Sequence, residues 1–449
     1  MRRRLAAIAV LVLGVASRAH ADVQLTIYND NLALVKETRL LTLQKGTFDL
    51  PFTDVAAAID PTSVTFAVLD NPGAVTLLEQ NYRFDLVSSD KLLEKYIDRA
   101  VRVITKQDKV HEGTLLAADG AALTLKQPDG ALSIVNRAEI ADLSLTSLPE
   151  GLITRPTLVW KLRSDVAGPA RSEVRYLTGK INWQAQYIAT VNAAEDGLDL
   201  SGWVSIDNRS GATYTDATLK LMAGDVHRVE PPRPKGMGMD IAMARMSAEA
   251  GFEEKSFFEY HLYTLSRPAT VRDNEIKQLA LFDPAHVKAE KIYTYDGARD
   301  GAKVRVTMEF TNSQAAGLGM PLPAGTIRVM KADTDGSWEF VGEDRIDHTP
   351  KDEKLRPFLG YAFDIVGERT QMDRQQISPR VYDERFEIKL RNHKTAAVTI
   401  VVVEHFWGDW SISESSHTAT KKDARTAEWR IPVAPDAESV LTFTVRHRN

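Results

Sequence analysis

Cysteine is absent from this sequence of 449 residues. A chain without cysteine forms no disulfide bond, has no thiolate nucleophile and supplies no thiolate to a metal ion. It also lacks the residue that carries the lipid anchor of an exported lipoprotein. The composition therefore excludes a disulfide framework, papain-like catalysis and a cysteine-linked lipid anchor.

Recognisable catalytic motifs are also missing. The Gly-x-Ser-x-Gly turn of many serine hydrolases does not occur. The ten histidines are scattered singly, without the His-x-His or His-x-x-x-His spacing that is typical of zinc sites. A Ser–His–Asp triad assembled from distant strands stays open, because its members need not be close in sequence.

The chain has no excess of basic charge and no long apolar run after residue 21. Its net charge is −5, and removal of residues 1–21 takes away four arginines and no acid, which gives −9. An acidic protein gains little electrostatic binding energy from nucleic acid or from anionic lipid, because both are negatively charged. No run approaches the ~20 apolar residues that a transmembrane helix needs. We expect no nucleic-acid partner and no transmembrane segment in the mature chain.

The first 21 residues have the three parts of an export signal. Arg2, Arg3 and Arg4 are followed by an apolar run over 5–15, and Ala19-His20-Ala21 has the small-x-small pattern of a cleavage site. The sequence predicts a mature protein that begins at Asp22. It also predicts a location in the periplasm of a Gram-negative bacterium.

Period-two alternation, which is typical of strands, dominates the rest of the chain. The prediction is an all-β, multi-domain fold of antiparallel β-sandwiches, with a small SH3/Sm-like barrel near the N-terminus. Turn and linker signals divide the chain into a signal peptide (1–21), an N-terminal β unit ending in a short helix (22–97), the small barrel (98–147), a β-sandwich domain (148–230), a Pro/Gly/Met-rich linker (231–255) and a C-terminal β-sandwich region (256–449).

The small barrel is predicted from five short strands at 100–105, 110–117, 122–126, 132–135 and 140–145, which follow a short helix capped near Ser88. Asp119-Gly120 and Asp129-Gly130 are hairpin signals between these strands. Sm-type proteins bind RNA, but this acidic chain has no basic and aromatic platform for it. We therefore predict a structural or docking role for this unit.

Several short runs in the chain together form a recognisable set. They lie at 182–187 (NWQAQY), 202–211 (GWVSIDNRSG), 219–224 (LKLMAG), 321–325 (PLPAG), 342–344, 348–350, 360–364 and 408–410. This set resembles a bacterial family known as domain of unknown function 4139, and the resemblance extends from about Leu158 to the C-terminus. The resemblance implies an all-β fold and an exported location, and it supplies no activity, cofactor or catalytic residue to carry over to this chain.

A methionine cluster offers a metal hypothesis. Met237, Met239, Met243 and Met246 lie within ten residues. Thioethers are soft ligands that suit Cu(I), and on a helix the last three would share one face. The alternative is a segment whose methionines cover an apolar surface. No other cofactor is predicted.

Aromatic residues near the C-terminus give a candidate binding loop. Trp407 and Trp410 flank Gly408-Asp409, which has the composition of a turn between two strands. Exposed aromatic rings anchor protein partners and stack on sugars. Tryptophan in a β protein also packs in cores, so Trp410 is either an outward anchor for a glycan or protein, or a core residue.

Three functions stay open from the sequence. The first is a non-enzymatic periplasmic or cell-envelope protein that binds or scaffolds an envelope protein or a glycan. The second is an envelope-associated hydrolase with a site in an interdomain cleft. The third is periplasmic copper handling through the methionine segment. A cleft that brings together Asp, His and Ser would favour the hydrolase.

Overall fold

The structure is a computed structural model, and it describes residues 22–147, 149, 152–224, 226–227, 252–333 and 335–448. It is 66% strand and 5% helix in several sheets, which confirms the all-β class. Residues 1–21 and 231–251, which carry the predicted signal peptide and most of the predicted linker, lie outside the described ranges. Within those ranges, no helix has the length and the apolar character needed to cross a membrane.

Strands follow one another along the chain with few helical turns between them. The first group is β1 (Asp22–Tyr28), β2 (Leu32–Leu43), β3 (Gly46–Thr53), β4 (Thr65–Val68), β5 (Val75–Arg83), α1 (Ser89–Lys95), β6 (Ala100–Thr105), β7 (Val110–Ala118), β8 (Ala122–Lys126), β9 (Leu132–Asn136) and β10 (Ile140–Leu145). The second group is β11 (Thr157–Ser164), β12 (Gly168–Gly179), β13 (Ile181–Val191), β14 (Gly197–Asn208), β15 (Tyr214–Ala223), β16 (Phe252–Phe257), β17 (Tyr260–Leu265) and β18 (Ala269–Val271).

The last part of the chain has the longest strands. It contains β19 (Glu275–Tyr295), α2 (Gly297–Asp300), β20 (Lys303–Thr311), β21 (Gly325–Ala332), β22 (Trp338–Ile346), β23 (Lys354–Leu355), β24 (Phe358–Ser378), β25 (Val381–Asn392), β26 (Val398–His405), β27 (Asp409–Ser415), β28 (Thr420–Lys421), β29 (Thr426–Val433) and β30 (Ala437–Arg448). Short 3-10 turns lie at Pro61–Ser63, Arg137–Glu139 and Gln314–Ala316.

An eight-stranded sheet joins the start of the chain to its middle. Its order is β16-β17-β15-β1-β2-β12-β4, with β18 paired to β15. Val23, Leu25 and Ile27 alternate inward along β1, as the period-two pattern predicts. β1 pairs antiparallel with β2 but parallel with β15. The predicted segments 22–97 and 148–230 therefore contribute strands to one sheet.

The first hydrophobic core lies between this sheet, the three-stranded sheet β3-β11-β5 and the first half of the largest sheet. Trp160 and Trp183 are fully buried in it. The Trp183 indole N–H donates to the carbonyl oxygen of Met222 at 3.1 Å, so its polar atom is satisfied across the two layers.

The largest sheet has 14 strands, and its main path runs β22-β21-β13-β14-β19-β20-β24-β25-β30-β27. It curls until β22 meets β24, where the Asp344 carboxylate accepts the backbone N–H of Phe358 at 2.7 Å. β19 and β24 are each 21 residues long, and both run from the first core into a second one. Trp429 and Phe443 stack in that second core with ring centroids 4.7 Å apart.

The five short strands and the helix predicted near the N-terminus are confirmed as β6–β10 and α1. The Ser88 side chain accepts the backbone N–H of Lys91, which begins the helix. The strand order is β10-β6-β7-β8-β9 around a small core of its own that contains Tyr96 and Leu123. Closure into an SH3/Sm-like barrel stays a prediction.

Two strands end in polar corners of the same kind, at different places in the fold. Asn208 ends β14 and Asn392 ends β25, and both side chains are fully buried. Each amide N–H₂ donates to the backbone carbonyl four residues on, at 2.9 Å, and to a second segment at 3.0 Å. Each amide oxygen accepts the backbone N–H two residues on. These bonds fix the loops that follow the two strands.

Candidate functional site

The candidate site lies where β19 passes from the first core to the second. Residues 275–288 of β19 pair with β14, whereas residues 289–295 pair with β20 and the last three of these also pair with β26. Ala289 belongs to the first core and Tyr293 to the second. Lys291 lies between them on the same inward-facing side of the strand, and its side chain is half-buried.

The turn between β13 and β14 holds a carboxylate beside Lys291. The Asn192 side chain bonds Asp196 at 2.7 Å, and the backbone N–H of Ala289 donates to the carbonyl of Asp196 at 3.0 Å, so the turn is tied to β19. Glu195 has a φ of 61°, a left-handed conformation that costs a non-glycine residue roughly 1–2 kcal/mol. The turn therefore presents the Glu195 side chain at some cost in backbone strain.

Two lysines share that carboxylate. The ammonium groups of Lys291 and Lys331 each donate to one oxygen of Glu195. Lys331 reaches it because β21 pairs parallel with β13, which places Lys331 opposite Val191. Burial lowers the pKa of Lys291 to about 8, and the positive charges of Lys394 and Lys331 lower it in the same direction. One carboxylate among three lysines leaves the group with a positive balance.

Two cavities adjoin this group, and both are lined by Glu195 and Lys291. One is an apolar recess of about 200 Å³. The other is an open, polar cavity of about 720 Å³. The recess is also lined by Val191, Val306, Met308, Val341, Leu359 and Tyr361. The polar cavity is also lined by Glu290, Asp364, His393, Lys394, Thr399 and Arg430.

The loop after β25 supplies the far wall of the polar cavity. Its backbone is held by the Asn392 corner, because the Asn392 amide oxygen accepts the N–H of Lys394 at 3.0 Å. The backbone N–H of His393 donates to the carbonyl of Asp364 on β24 at 2.8 Å. Lys394 is therefore placed by buried hydrogen bonds and faces the cluster from the second core.

This arrangement suits the binding of an anion beside an apolar group. A partly desolvated ammonium binds a carboxylate more strongly than an exposed one does, because the local dielectric constant is lower. No serine lines either cavity, so the described walls do not assemble a Ser–His–Asp triad. Among the described residues, no group of three or more His, Asp or Glu side chains is placed to hold a metal ion.

The two tryptophans of the predicted binding loop have opposite environments. Trp407 is 71% exposed, and the Arg425 guanidinium lies 4.7 Å from its ring centroid. Trp410 is 4% exposed, packs on Phe406 at 4.9 Å between ring centroids, and donates its indole N–H to the carbonyl of Ala424 at 2.7 Å. Of the two, Trp407 alone offers a ring to a partner. Binding at this loop stays a prediction.

The methionine cluster of Met237, Met239, Met243 and Met246 lies outside the described residues. The copper hypothesis therefore stays a prediction from sequence. Its test is the loss of Cu(I) binding when these methionines are replaced by leucine, which keeps apolarity and removes sulfur.

Sequence reasoning missed the lysine group. Glu195, Lys291 and Lys331 are far apart in the chain and are common surface residue types. One signal was available in β19, where Val287, Ala289, Tyr293 and Tyr295 occupy alternate buried positions. Lys291 interrupts this apolar series, and a lysine on the inward side of a strand indicates a partner or a cavity.

Fold and site together define an all-β protein in which two cores are joined by shared strands, with a lysine-rich cleft at the junction. The family described as Domain of unknown function (DUF4139) matches residues 172–448, which contain the whole lysine group. The chain belongs to this family. A search of curated proteins finds no match to the chain.

Proposed function

We propose that this is a non-enzymatic binding protein, and that it acts outside the cytoplasm at the cell envelope. The observation that carries the proposal is the shared Glu195 carboxylate between Lys291 and Lys331, set between an apolar recess and a polar cavity. A positive, partly desolvated group in a cleft favours an anionic part of a partner. The export signal predicted over residues 1–21 supports the location.

The cleft supports binding more than hydrolysis. His393 and Asp364 line the polar cavity, but the lining residues supply no serine for them to activate. The proposed partner is an exported protein or glycan that presents a carboxylate or another anionic group. Trp407, with Arg425 over its ring, is a second surface at which such a partner could be held.

Affinity capture tests the proposal. The full chain would be expressed with its own first 21 residues, purified, immobilised, and exposed to an envelope extract from its own source. We expect a retained component that is lost from the double variant Lys291→Met/Lys331→Met. Lys161→Met is the matched control, because Lys161 pairs with Glu79 at 2.9 Å and is 39% exposed, against 37% for Lys331.

Three outcomes separate the alternatives. If Lys161→Met still retains the envelope component and Lys291→Met/Lys331→Met does not, the result supports binding at the cleft. Retention that only Trp407→Ala abolishes would move the site to the aromatic loop. Turnover of short-chain ester substrates by the purified protein, abolished by a cleft variant, would replace the proposal by the hydrolase alternative.

A further inference from the structure

The recess beside Lys291 has the shape of a site for a small apolar group. Its lining is mostly apolar, and the charged residues among it are Glu195, Lys291 and Lys331. Its volume is about 200 Å³. An apolar cavity of roughly 150 Å³ holds a benzene ring, so this one has room for one ring or for a chain of about six to eight carbons.

The wall of the recess is held in place by polar contacts outside it. The Tyr361 hydroxyl donates to the Asp300 carboxylate at 2.9 Å, which fixes the ring at the recess. Asp344 holds the start of β24 through the N–H of Phe358. These contacts join β24 to α2 and to β22, so the wall of the recess is formed before any ligand arrives.

We propose that the recess binds a small amphipathic anion, a medium-chain or aryl carboxylate, with its apolar part in the recess and its carboxylate on Lys291 and Lys331. This inference rests on the proposed function, because it names the chemical class that the same cleft recognises. The two ammonium groups each retain donors beyond the one given to Glu195. An apolar amine of the same length would meet like charge from Lys291, Lys331 and Lys394.

Binding should depend on pH because the anion favours protonated Lys291. The groups that face Lys291 are Glu195 on the β13–β14 turn, Lys331 on β21, Lys394 after β25 and the Tyr293 ring on its own strand, 5.4 Å away. The titratable or charged residues across the polar cavity are Glu290, Asp364, His393 and Arg430. Because the pKa of Lys291 is lowered to about 8, affinity should fall as the pH rises through that value.

Titration calorimetry of the full chain with octanoate tests the inference, with octanol, octylamine and acetate as comparison probes. We expect octanoate to bind best, octanol and acetate each at least about tenfold more weakly, and octylamine not to bind. Lys291→Met should weaken octanoate by roughly tenfold to a hundredfold, because a charge-assisted contact is lost.

Two further variants separate the parts of the site. Val341→Trp places a large ring at the mouth of the recess and should abolish octanoate binding, whereas Val110→Trp, at an exposed valine of the small sheet, should leave it unchanged. Lys331→Met substitutes for Lys291→Met if the latter does not fold, with Lys161→Met as its control. Octanoate affinity that is equal in the wild type and in the folded cleft variants would overturn the inference.

Failure of this inference is distinguishable from failure of the proposed function. If octanoate neither binds nor competes while envelope capture is still lost from Lys291→Met/Lys331→Met, the ligand class is wrong and the binding function stands. If the double variant keeps the captured component and octanoate does not bind, both fail.

Discussion

Trp407 and Trp410 provide a matched pair of identical residues, three positions apart, with opposite burial. Trp410→Ala removes a ring that is 4% exposed, packed on Phe406 and bonded to the carbonyl of Ala424. Replacing a buried tryptophan by alanine costs ~3–5 kcal/mol. Trp407 is 71% exposed, so Trp407→Ala should change the free energy of unfolding by less than about 0.5 kcal/mol.

Hydrogen exchange measured by mass spectrometry reports this effect locally, which matters in a chain with more than one core. The strands to follow are β26, β29 and β30, whose side chains share the second core with Trp410. Because 1.4 kcal/mol corresponds to tenfold, slow exchange in these strands should become roughly 10²- to 4 × 10³-fold faster in Trp410→Ala. Trp410→Phe should give exchange rates between those of the wild type and Trp410→Ala, since it keeps an aromatic ring and loses the indole N–H donor.

Equal exchange rates in Trp407→Ala and Trp410→Ala would refute the assignment of Trp410 to the core. A Trp410→Ala variant that exchanges like the wild type but loses a partner would return this residue to the binding hypothesis. Exchange in β6–β10 is the internal control, because those strands have a separate core and should not respond.

Three other predictions concern buried polar groups. The Arg369 guanidinium donates to both carboxylate oxygens of Glu404, a residue 2% exposed, so Arg369→Met should lower the free energy of unfolding by about 3–5 kcal/mol. Burial raises the pKa of Glu404, so this loss of stability should shrink as the pH of a denaturation experiment is lowered. A loss that does not change with pH would contradict this. Competitive acylation of lysines, followed by mass spectrometry, should give Lys291 a titration midpoint of about 8, and a midpoint above about 10 would show an ordinary lysine. Asn392→Ala should destabilise the second core by about 2–4 kcal/mol, because several buried hydrogen bonds are lost, and a change under about 1 kcal/mol in the same exchange experiment would argue against the corner.

The strands were predictable because alternation along one segment is a local property. The small five-stranded unit follows from its turn signals and from the Ser88 cap, and the all-β class follows from the dominance of period two. The pairing of β1 with β15 was not predictable, because alternation states that a segment is a strand and does not name its neighbour. The paired residues of β1 and β15 are almost two hundred positions apart in the chain, and their pairing depends on how the whole sheet packs.

The candidate site was harder to predict for a related reason. Lys291, Lys331 and Glu195 meet because three strands end or cross at one place, which no spacing along the chain encodes. The choice between Trp407 and Trp410 depends on the turn between them, where Gly408 has a φ of 73°. That left-handed residue interrupts the alternation, so the faces of the two rings could not be read from period two.

The two 21-residue strands make the cleft a fixed gap between the cores. Binding proteins that close around a ligand do so by rotating two domains about a hinge. Here β19 and β24 are continuous through both bodies, and rotation would break their ladders with β14, β20 and β25. The two cores should therefore move together as one rigid body. Small-angle X-ray scattering curves of the free and ligand-bound protein should superimpose. Recognition would then depend on how well a ligand fits a cleft of constant width.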